Sequence, residues 1–206
     1  MAASYWNHNT HYHRLVLDEV PDGCAAALDV GCGDGLLLEK LAGRARRVTG
    51  VDRSPEMVRL ARERTAGLGS VTVLAADFRD AVGSLLPEGG YDFVSAVAVV
   101  HHWDFAEAVR GMVRLLAPGG RLVVVGLARN RTPVDWAVSG LGVPAARWLA
   151  WRHGGEHGPV GMPVADPVLS WGEVRAEARR LLPGCRFRRH LLWRYSLTWR
   201  KPLRSR

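Results

Sequence analysis

The sequence predicts an α/β fold in which a doubly wound, mostly parallel sheet is covered by helices on both faces. Five short apolar runs alternate with segments of helical character along residues 25–127. The runs lack polar alternation, which is typical of strands buried on both faces. A glycine-rich loop at residues 31–35 directly follows the first run and precedes an apolar segment of helical period. Such strand–loop–helix units are joined by right-handed crossovers, which produce a parallel sheet.

Strands and helix starts can be assigned one by one along this region. Ser54 and Pro55 form an N-cap followed by a proline at the first helical position. Asp104 and Glu107 have the spacing of a capping box, and they predict a helix that stops at the Pro-Gly-Gly of residues 118–120. The strands are expected at residues 25–30, 47–52, 71–77, 91–100 and 120–127.

The pattern changes after the fifth run, where residues 128–169 are expected to form a helical or irregular insert. The insert carries three tryptophans, and the sequence leaves three interpretations of them open. They could line an apolar pocket, pack as core, or contact a partner chain. These tryptophans are Trp136, Trp148 and Trp151.

The C-terminal part, residues 170–206, is predicted to hold one helix and a β segment. Ser170 and Glu173 form a capping-box pair for the helix. From 187 to 199 the odd positions are mostly apolar, which indicates β structure and leaves open whether it is one strand or a hairpin. Residues 186–206 also carry eight of the 28 basic side chains and no acid, so the net charge of +8 comes from this segment.

Composition places the chain among single-domain globular proteins. It has 206 residues, of which 48% are hydrophobic and 23% are charged. No apolar run approaches the 18 or so residues of a membrane span, and the first residues lack the basic start and apolar core of a signal peptide. The cysteines, Cys24, Cys32 and Cys185, are odd in number and show no metal-ligand spacing. They predict reduced thiols in a cytoplasmic protein.

Polar residues at the ends of three predicted strands indicate the chemistry of a ligand. Asp52 ends the second run, where a carboxylate can accept both hydroxyls of a ribose. Asp77 and Phe78 end the third run and suit an adenine. The Asp77 carboxylate can accept a hydrogen bond from the exocyclic amine, and the Phe78 ring can stack on the base. Asp29, beside the glycine loop, would repel a pyrophosphate and attract an amine. The pattern therefore predicts a nucleoside that carries an ammonium group, and not a dinucleotide.

Four motifs together resemble those of the class I S-adenosylmethionine-dependent methyltransferases with a type 11 or type 25 domain. They are LDVGCGDG (28–35), GVDRSPEMV (50–58), AADF (75–78) and LLAPGGRLVVVG (115–126). The resemblance implies a Rossmann-like fold with seven strands, S-adenosyl-L-methionine as the cofactor and S-adenosyl-L-homocysteine as its product. The residues that it assigns to the cofactor are Asp29, Gly31, Cys32, Gly33 and Gly35 for the methionine part, Asp52 for the ribose, Asp77 and Phe78 for the adenine, and Arg53 and Met57 for the pocket lining.

Two adjacent histidines, His101 and His102, follow the fourth strand, where this family places the wall on the acceptor side. A sulfonium already makes its methyl group electrophilic, so such an enzyme has mainly to align the reacting atoms and exclude water. An acceptor that must lose a proton also needs a base that titrates near neutrality. Because adjacent strand residues point in opposite directions, at most one histidine is expected to face the methyl group. The alternative is that both serve packing.

The segment YWNHNTHYH, residues 5–13, is rich in histidine and aromatic side chains and precedes the first strand. In this family such segments often fold over the cofactor, so residues 1–24 are predicted to form a lid. Tyr12 or a neighbouring histidine, in particular His13, is expected to bond the cofactor carboxylate or contact the acceptor. The alternatives are an aromatic surface anchor and a metal site built from these histidines. No acidic ligand accompanies them, so no metal is predicted.

Motifs that mark other acceptors are absent from the sequence. No Asn-Pro-Pro-Tyr-like motif follows the fourth strand, as methylation of an adenine or glutamine amine would require, and no Pro-Cys nucleophile for cytosine is present there. The acidic pair of arginine methyltransferases is missing as well. We therefore expect a monomer or homodimer that methylates a small-molecule acceptor, such as a specialised metabolite, without nucleic acid or membrane.

Two other functions stay open at this point. The first is a macromolecular methyltransferase that docks RNA or protein through the basic C-terminal segment. The second is a protein that binds the cofactor without transferring its methyl group.

Overall fold

The sheet has seven strands, as the family resemblance implies. A computed structural model describes residues 5–159 and 165–203. The strands are β1 (Ala26–Val30), β2 (Arg47–Asp52), β3 (Val71–Ala75), β4 (Tyr91–Val97), β5 (Leu116–Gly126), β6 (Arg186–Arg189) and β7 (Tyr195–Arg200). Their order in the sheet is β3-β2-β1-β4-β5-β7-β6. The first five strands pair in parallel, and β7 runs antiparallel to β5 and β6.

Helices follow most strands and cover both faces of the sheet. One face carries α4, α5 and α7, and the other carries α1, α2, α3 and α6. Their bounds are α1 (His13–Asp18), α2 (Leu36–Leu41), α3 (Pro55–Thr65), α4 (Phe78–Ala81), α5 (Phe105–Leu115), α6 (Pro133–Arg152) and α7 (Trp171–Leu181), with short 3-10 turns at Thr10–Tyr12 and Val100–His102.

Two cores result from this arrangement, one on each side of the sheet. Every residue of β1 is buried, and its side chains alternate between the cores: Leu28 joins the cluster under α5, whereas Ala27 joins the cluster under α2. Burial on both faces explains why the strand lacks polar alternation.

The predicted helix starts are confirmed by side-chain caps. Ser54 accepts a hydrogen bond from the Met57 amide at the start of α3, and Asp104 accepts one from the Glu107 amide at the start of α5. At α7, Ser170 forms a reciprocal capping box with its glutamate partner. These local bonds satisfy donors that a helix N-terminus leaves without partners.

Several boundaries differ from the sequence prediction. β4 ends at Val97, and the residues after it turn into a 3-10 helix instead of continuing the strand. β5 begins directly after α5, so the expected helix stop at 118–120 lies inside the strand. The C-terminal β segment is a hairpin formed by β6 and β7. Its turn contains Trp193 at a φ of 55°. Tryptophan rarely adopts this conformation, so the sequence did not indicate a turn at this position.

Part of the insert forms one long helix, α6 (Pro133–Arg152), which begins with a capping box between Thr132 and Asp135. Residues 160–164 of the insert lie outside the described residues. Its three tryptophans are exposed: Trp136 by 66%, Trp148 by 54% and Trp151 by 79%. The interpretation that they pack as core is therefore wrong. Within residues 5–159 and 165–203, no helix combines the length and apolarity that a membrane crossing requires.

The basic C-terminal residues make contacts within the chain. Arg186 pairs with Glu19 at 3.1 Å, and Arg189 pairs with Asp135 at 2.8 Å. Arg194 is almost fully buried. The last three residues of this segment, like the first four residues of the predicted lid, lie outside the described residues.

Candidate active site

The loop after β1 brings bare backbone to the carboxyl ends of the strands. Gly31 and Gly33 have φ values of 69° and 54°, in the left-handed region that favours glycine. A Cβ on Gly31 would lie within 3.0 Å of three atoms of the Val99 side chain, whereas a Cβ on Gly33 would meet nothing within 4 Å. Gly31 is therefore required by a close approach inside the protein, and Gly33 faces open space where a ligand can approach the main chain.

Gly35 has a packing role and lines neither of the two cavities described below. It is the N-cap of α2 with a φ of 80°. A Cβ at this position would lie 2.9 Å from the Cα atom of Ala61 in α3. The glycine therefore allows α2 and α3 to approach each other.

Asp52 lies at the end of β2 and holds the glycine loop. Its Oδ2 atom accepts a hydrogen bond from the Gly33 amide at 3.0 Å, and its Oδ1 atom accepts one from the Ser54 amide at 2.8 Å. Each carboxylate oxygen can accept a further bond. Because Asp52 also lines a cavity at the strand ends, it is placed to accept hydroxyl groups of a ligand.

Asp29 is buried beside the same loop. The Ser95 hydroxyl donates a hydrogen bond to its Oδ1 atom at 2.7 Å. Burial raises the pKa of Asp29 to about 7, against the opposing effect of the Ser95 bond, and Asp52 raises it further. Asp29 and Cys32 line a small cavity of about 70 Å³ at this end of the loop. A cationic ligand group there would favour the ionised carboxylate.

A second cavity, of about 240 Å³, continues along the strand ends from β2 to β4. It brings together most of the residues that the sequence analysis selected. Its walls also contain residues that were not selected, among them Asn9, Trp103, Leu127 and Arg194. The selected residues that line it are Gly31, Gly33, Asp52, Arg53, Met57, Phe78, His101 and His102.

Asp77 is placed differently from the prediction. It is the N-cap of α4, where its carboxylate accepts from the Arg79 amide at 2.9 Å and from the Arg79 guanidinium at 3.1 and 3.2 Å. The guanidinium bond is the largest cause that lowers the pKa of Asp77. Phe78 and Ala76 line the cavity while Asp77 does not, so the structure assigns this carboxylate to capping and pairing.

Both histidines line the cavity, although adjacent residues of a strand would point in opposite directions. The reason is that His101 and His102 lie in a 3-10 turn and not in a strand. Their ring centroids are 4.3 Å apart. Burial lowers the pKa of His101 to about 4 and also lowers that of His102. Both rings are therefore neutral near pH 7, and the buried Nδ1 atom of His101 has no hydrogen-bond partner among the described residues.

The described part of the N-terminal segment lies against the glycine loop. The Tyr5 hydroxyl donates to Asp34 at 3.0 Å, and the Asn7 side-chain amide donates to the His157 carbonyl at 3.1 Å. Asp34 is also paired with the buried guanidinium of Arg64 at 2.7 Å. These contacts connect the segment to the loop before α2, through Asp34 to α3, and to the residues after α6.

The two residues predicted to act from this segment are placed apart from the histidine pair. His13 is buried near the Lys40 ammonium group, with 3.2 Å between Lys40 Nζ and His13 Nδ1, and burial lowers its pKa to about 3. It lines the small cavity with Asp29 and not the cavity with His101.

Tyr12 packs in the core and lines neither cavity. Its hydroxyl accepts a bond from the Leu192 amide at 3.4 Å. The contact with the β6–β7 turn therefore replaces the predicted cofactor contact of Tyr12. No three His, Cys, Asp or Glu side chains gather as metal ligands would, in the part of the chain that the structure describes.

Comparison with known proteins places the chain in a group of similar sequences. A family model described as a methyltransferase domain matches residues 28–124. An uncharacterised methyltransferase of Mycobacterium tuberculosis is 37% identical over 209 residues, which covers 96% of this chain and 98% of the relative. A ubiquinone biosynthesis O-methyltransferase of Xanthomonas oryzae is 38% identical over 122 residues, which covers 57% of this chain and 48% of the relative.

The fold also matches solved structures. One is the N-methyltransferase NodS of Bradyrhizobium japonicum in complex with S-adenosyl-L-homocysteine, with a TM-score of 0.59 and 21% identity. The match covers 95% of this chain and 86% of that one.

Proposed function

The chain belongs to the S-adenosylmethionine-dependent methyltransferases, and on that premise we propose that it methylates a small organic acceptor. We call the part of the crevice formed by Asp29, the glycine loop 31–33 and Asp52 the donor end. The acceptor end is formed by His101, Trp103 and Arg194 together with the apolar wall around them. S-adenosylmethionine supplies an electrophilic methyl group when it is bound at the donor end.

The residues of the donor end fit this cofactor in their chemistry. The buried carboxylate of Asp29 accepts a single hydrogen bond, from Ser95, and can accept more from an ammonium group. Asp52 keeps free acceptor capacity on both oxygens towards hydroxyl groups. Gly33 leaves room for a ligand beside the main chain, and Phe78 lines the same cavity with a ring that is largely packed in the core.

The observation that carries the proposal is the cavity that runs from Gly33 and Asp52 of the donor end to His101 and Arg194 of the acceptor end. Trp103 and Leu127 line its acceptor end, so the wall that would face the acceptor is largely apolar and aromatic, as is typical of small-molecule sites. Walls of this kind exclude water and hold the reacting atoms in line, which is most of what methyl transfer requires.

The basic C-terminal residues give little support to a macromolecular acceptor. Arg186 and Arg189 are engaged with carboxylates on the protein itself, and the guanidinium of Arg194 is turned inside. A surface that binds RNA would present such side chains together on one face. The names of the relatives cover both O- and N-methylation, so the proposal specifies a small acceptor and not the acceptor atom.

Proton removal is proposed as the task of the histidine pair. Both rings are neutral near pH 7 because burial lowers their pKa values. A neutral imidazole can accept a proton from an acceptor hydroxyl or amine as the methyl group arrives, although a pKa of about 4 makes His101 a weaker base than one that titrates near neutrality. His101 and His102 are both on the cavity wall, so either is within the same site.

The test is incubation of the protein with methyl-labelled S-adenosylmethionine and three separate fractions of cell extract: metabolites, RNA and protein. We expect labelled product in the metabolite fraction, where mass spectrometry can identify it. Label that accumulates in RNA or protein would contradict the small acceptor. Binding of the cofactor with no label transferred to any fraction would favour the protein without transfer activity.

A further inference from the structure

Arg194 is a buried cation on the wall of the cavity. It lies in the turn between β6 and β7, and only 9% of its surface is exposed. Its Nε and Nη2 atoms donate to the Asn9 side-chain oxygen at 3.0 and 2.7 Å. Its Nη1 atom makes two long contacts, with the Leu192 carbonyl at 3.5 Å and the Trp193 carbonyl at 3.3 Å. Asn9 therefore fixes one edge of the guanidinium, and the edge formed by Nη1 and Nη2 is the less satisfied one.

This cation has no carboxylate in ion-pair contact among residues 5–159 and 165–203. Its four hydrogen bonds engage at most four of the five N–H donors of a guanidinium. Burial lowers the pKa of Arg194 to about 10, so the group still carries its charge at neutral pH. Buried charges are normally paired, and an unpaired one costs several kcal/mol in general. Glu156 raises the pKa of the guanidinium only from beyond ion-pair distance, so an anion from outside the chain can still pair with it.

The position of Arg194 points to the acceptor and not to the cofactor. Arg194 lines the cavity that contains His101, and its charge is one of the causes that lower the pKa of that ring. It does not itself line the small cavity in which Asp29 meets the glycine loop, although its partner Asn9 lines both cavities. The guanidinium therefore acts on the histidine side of the crevice.

The other walls describe the remainder of the molecule that Arg194 would bind. Val99 and Leu127 are apolar, and Trp103 adds an aromatic ring. Two polar atoms of these walls, His101 Nδ1 and Trp103 Nε1, are buried and have no hydrogen-bond partner among the described residues. The site thus suits a compact apolar body that carries a carboxylate at one end.

We propose that Arg194 binds a carboxylate of the methyl acceptor, which makes the acceptors of this enzyme small apolar acids. The inference rests on the proposed function, since it concerns the same site. At the open edge of the guanidinium, one carboxylate oxygen can accept from the remaining N–H of Nη2, and the other from Nη1 in place of its two long contacts. Such paired charged bonds are about twice as strong as neutral ones. Asn9 is a positioning residue, because it holds the guanidinium with this edge towards the cavity.

The experiment is calorimetric titration of the protein saturated with S-adenosyl-L-homocysteine. The probes are benzoate, phenylacetate and cinnamate, each compared with its primary amide, which has the same shape without the charge. Arg194→Met is the test variant, and Arg188→Met, at an exposed arginine of β6, is the matched control with the same change of charge. We expect at least one acid to bind about tenfold or more tightly than its amide to the wild type and to the control.

In Arg194→Met this preference should disappear while the affinity for S-adenosyl-L-homocysteine stays within threefold of the wild-type value. If Arg194→Met does not fold, Arg194→Lys replaces it. In that variant the preference for the acid over its amide should fall, because an ammonium group cannot donate two parallel hydrogen bonds as a guanidinium does. The proposal is overturned if no acid is preferred over its amide, or if the preference survives in both Arg194 variants. It is also overturned if substitution of Arg194 abolishes binding of S-adenosyl-L-homocysteine. Failure of the wild type to bind S-adenosyl-L-homocysteine would instead contradict the proposed function.

Discussion

The donor end and the acceptor end of the crevice differ in where their residues lie along the chain. Asp29, the glycine loop and Asp52 fall within one β-α-β unit, and each follows or ends a strand of the parallel sheet. The acceptor end draws Asn9 from the N-terminal segment, His101 from the turn after β4 and Arg194 from the C-terminal hairpin. The donor end is therefore encoded locally, and the acceptor end exists only once distant segments have packed.

The first prediction separates the two ends at the histidines. His101→Phe and His102→Phe each remove an imidazole while keeping a ring of similar size. If one histidine accepts the acceptor proton, that variant should lose roughly 10²- to 10⁴-fold in turnover. The affinity for S-adenosyl-L-homocysteine, measured by calorimetry, should change by less than threefold, because neither ring holds the glycine loop. Turnover that survives in both variants would leave the histidines with a packing role.

The second prediction concerns Asp52. Asp52→Ala should weaken binding of S-adenosyl-L-homocysteine by roughly 2–4 kcal/mol, because ribose hydroxyls and the Gly33 amide lose their acceptor. The matched control is Asp92→Ala at the opposite edge of the sheet, where the carboxylate accepts from the amides of Ala25 and Ala26. That substitution should lower thermal stability and leave the affinity unchanged. Equal affinities in the wild type and Asp52→Ala would remove the ribose assignment.

The different origins of the two ends explain what sequence reasoning could reach. Asp29 and Asp52 could be placed because a carboxylate at the end of a parallel strand lies at a predictable edge of the sheet. Asp77 occupies an equivalent position, but Arg79, two residues away, takes its carboxylate, and no strand pattern indicates that competition. Arg194 was one polar residue of an alternating segment. Its burial depends on Asn9, which lies 185 residues away.

The third prediction separates two glycines of the same loop. Gly33→Ala and Gly35→Ala both force a Cβ into the left-handed region, at a general cost of about 1–2 kcal/mol. Gly35→Ala should lose a further 1–3 kcal/mol or so of unfolding free energy, because the Cβ meets Ala61. Gly33→Ala should instead weaken cofactor binding, since its Cβ enters the open space of the cavity. Denaturant unfolding measures the stability of both variants, and calorimetry measures their cofactor affinity. If Gly33→Ala lost the additional stability and Gly35→Ala lost the affinity, the two assignments would be reversed.

The fourth prediction uses the raised pKa of Asp29. With a pKa of about 7, the carboxyl is mostly protonated at pH 6 and mostly ionised at pH 8. Binding of an ammonium group needs the ionised form, so the affinity for S-adenosyl-L-homocysteine should rise roughly tenfold between these values. Asp29→Asn, which keeps an acceptor for the Ser95 hydroxyl, should bind more weakly and lose this pH dependence. A wild-type affinity that is flat from pH 6 to 8 would place the amine elsewhere.

The smallest effects are expected on α6, although its tryptophans had been candidates for the acceptor pocket. Trp148→Ser and Trp151→Ser alter exposed side chains, so the free energy of unfolding should change by no more than about 0.5 kcal/mol. Their KM for the acceptor should equal that of the wild type. Trp103→Phe, by contrast, removes an indole from the cavity wall and should raise KM. A raised KM in Trp151→Ser would extend the acceptor end onto α6. An exposed side chain that affects KM would then contact the acceptor or a carrier molecule attached to it.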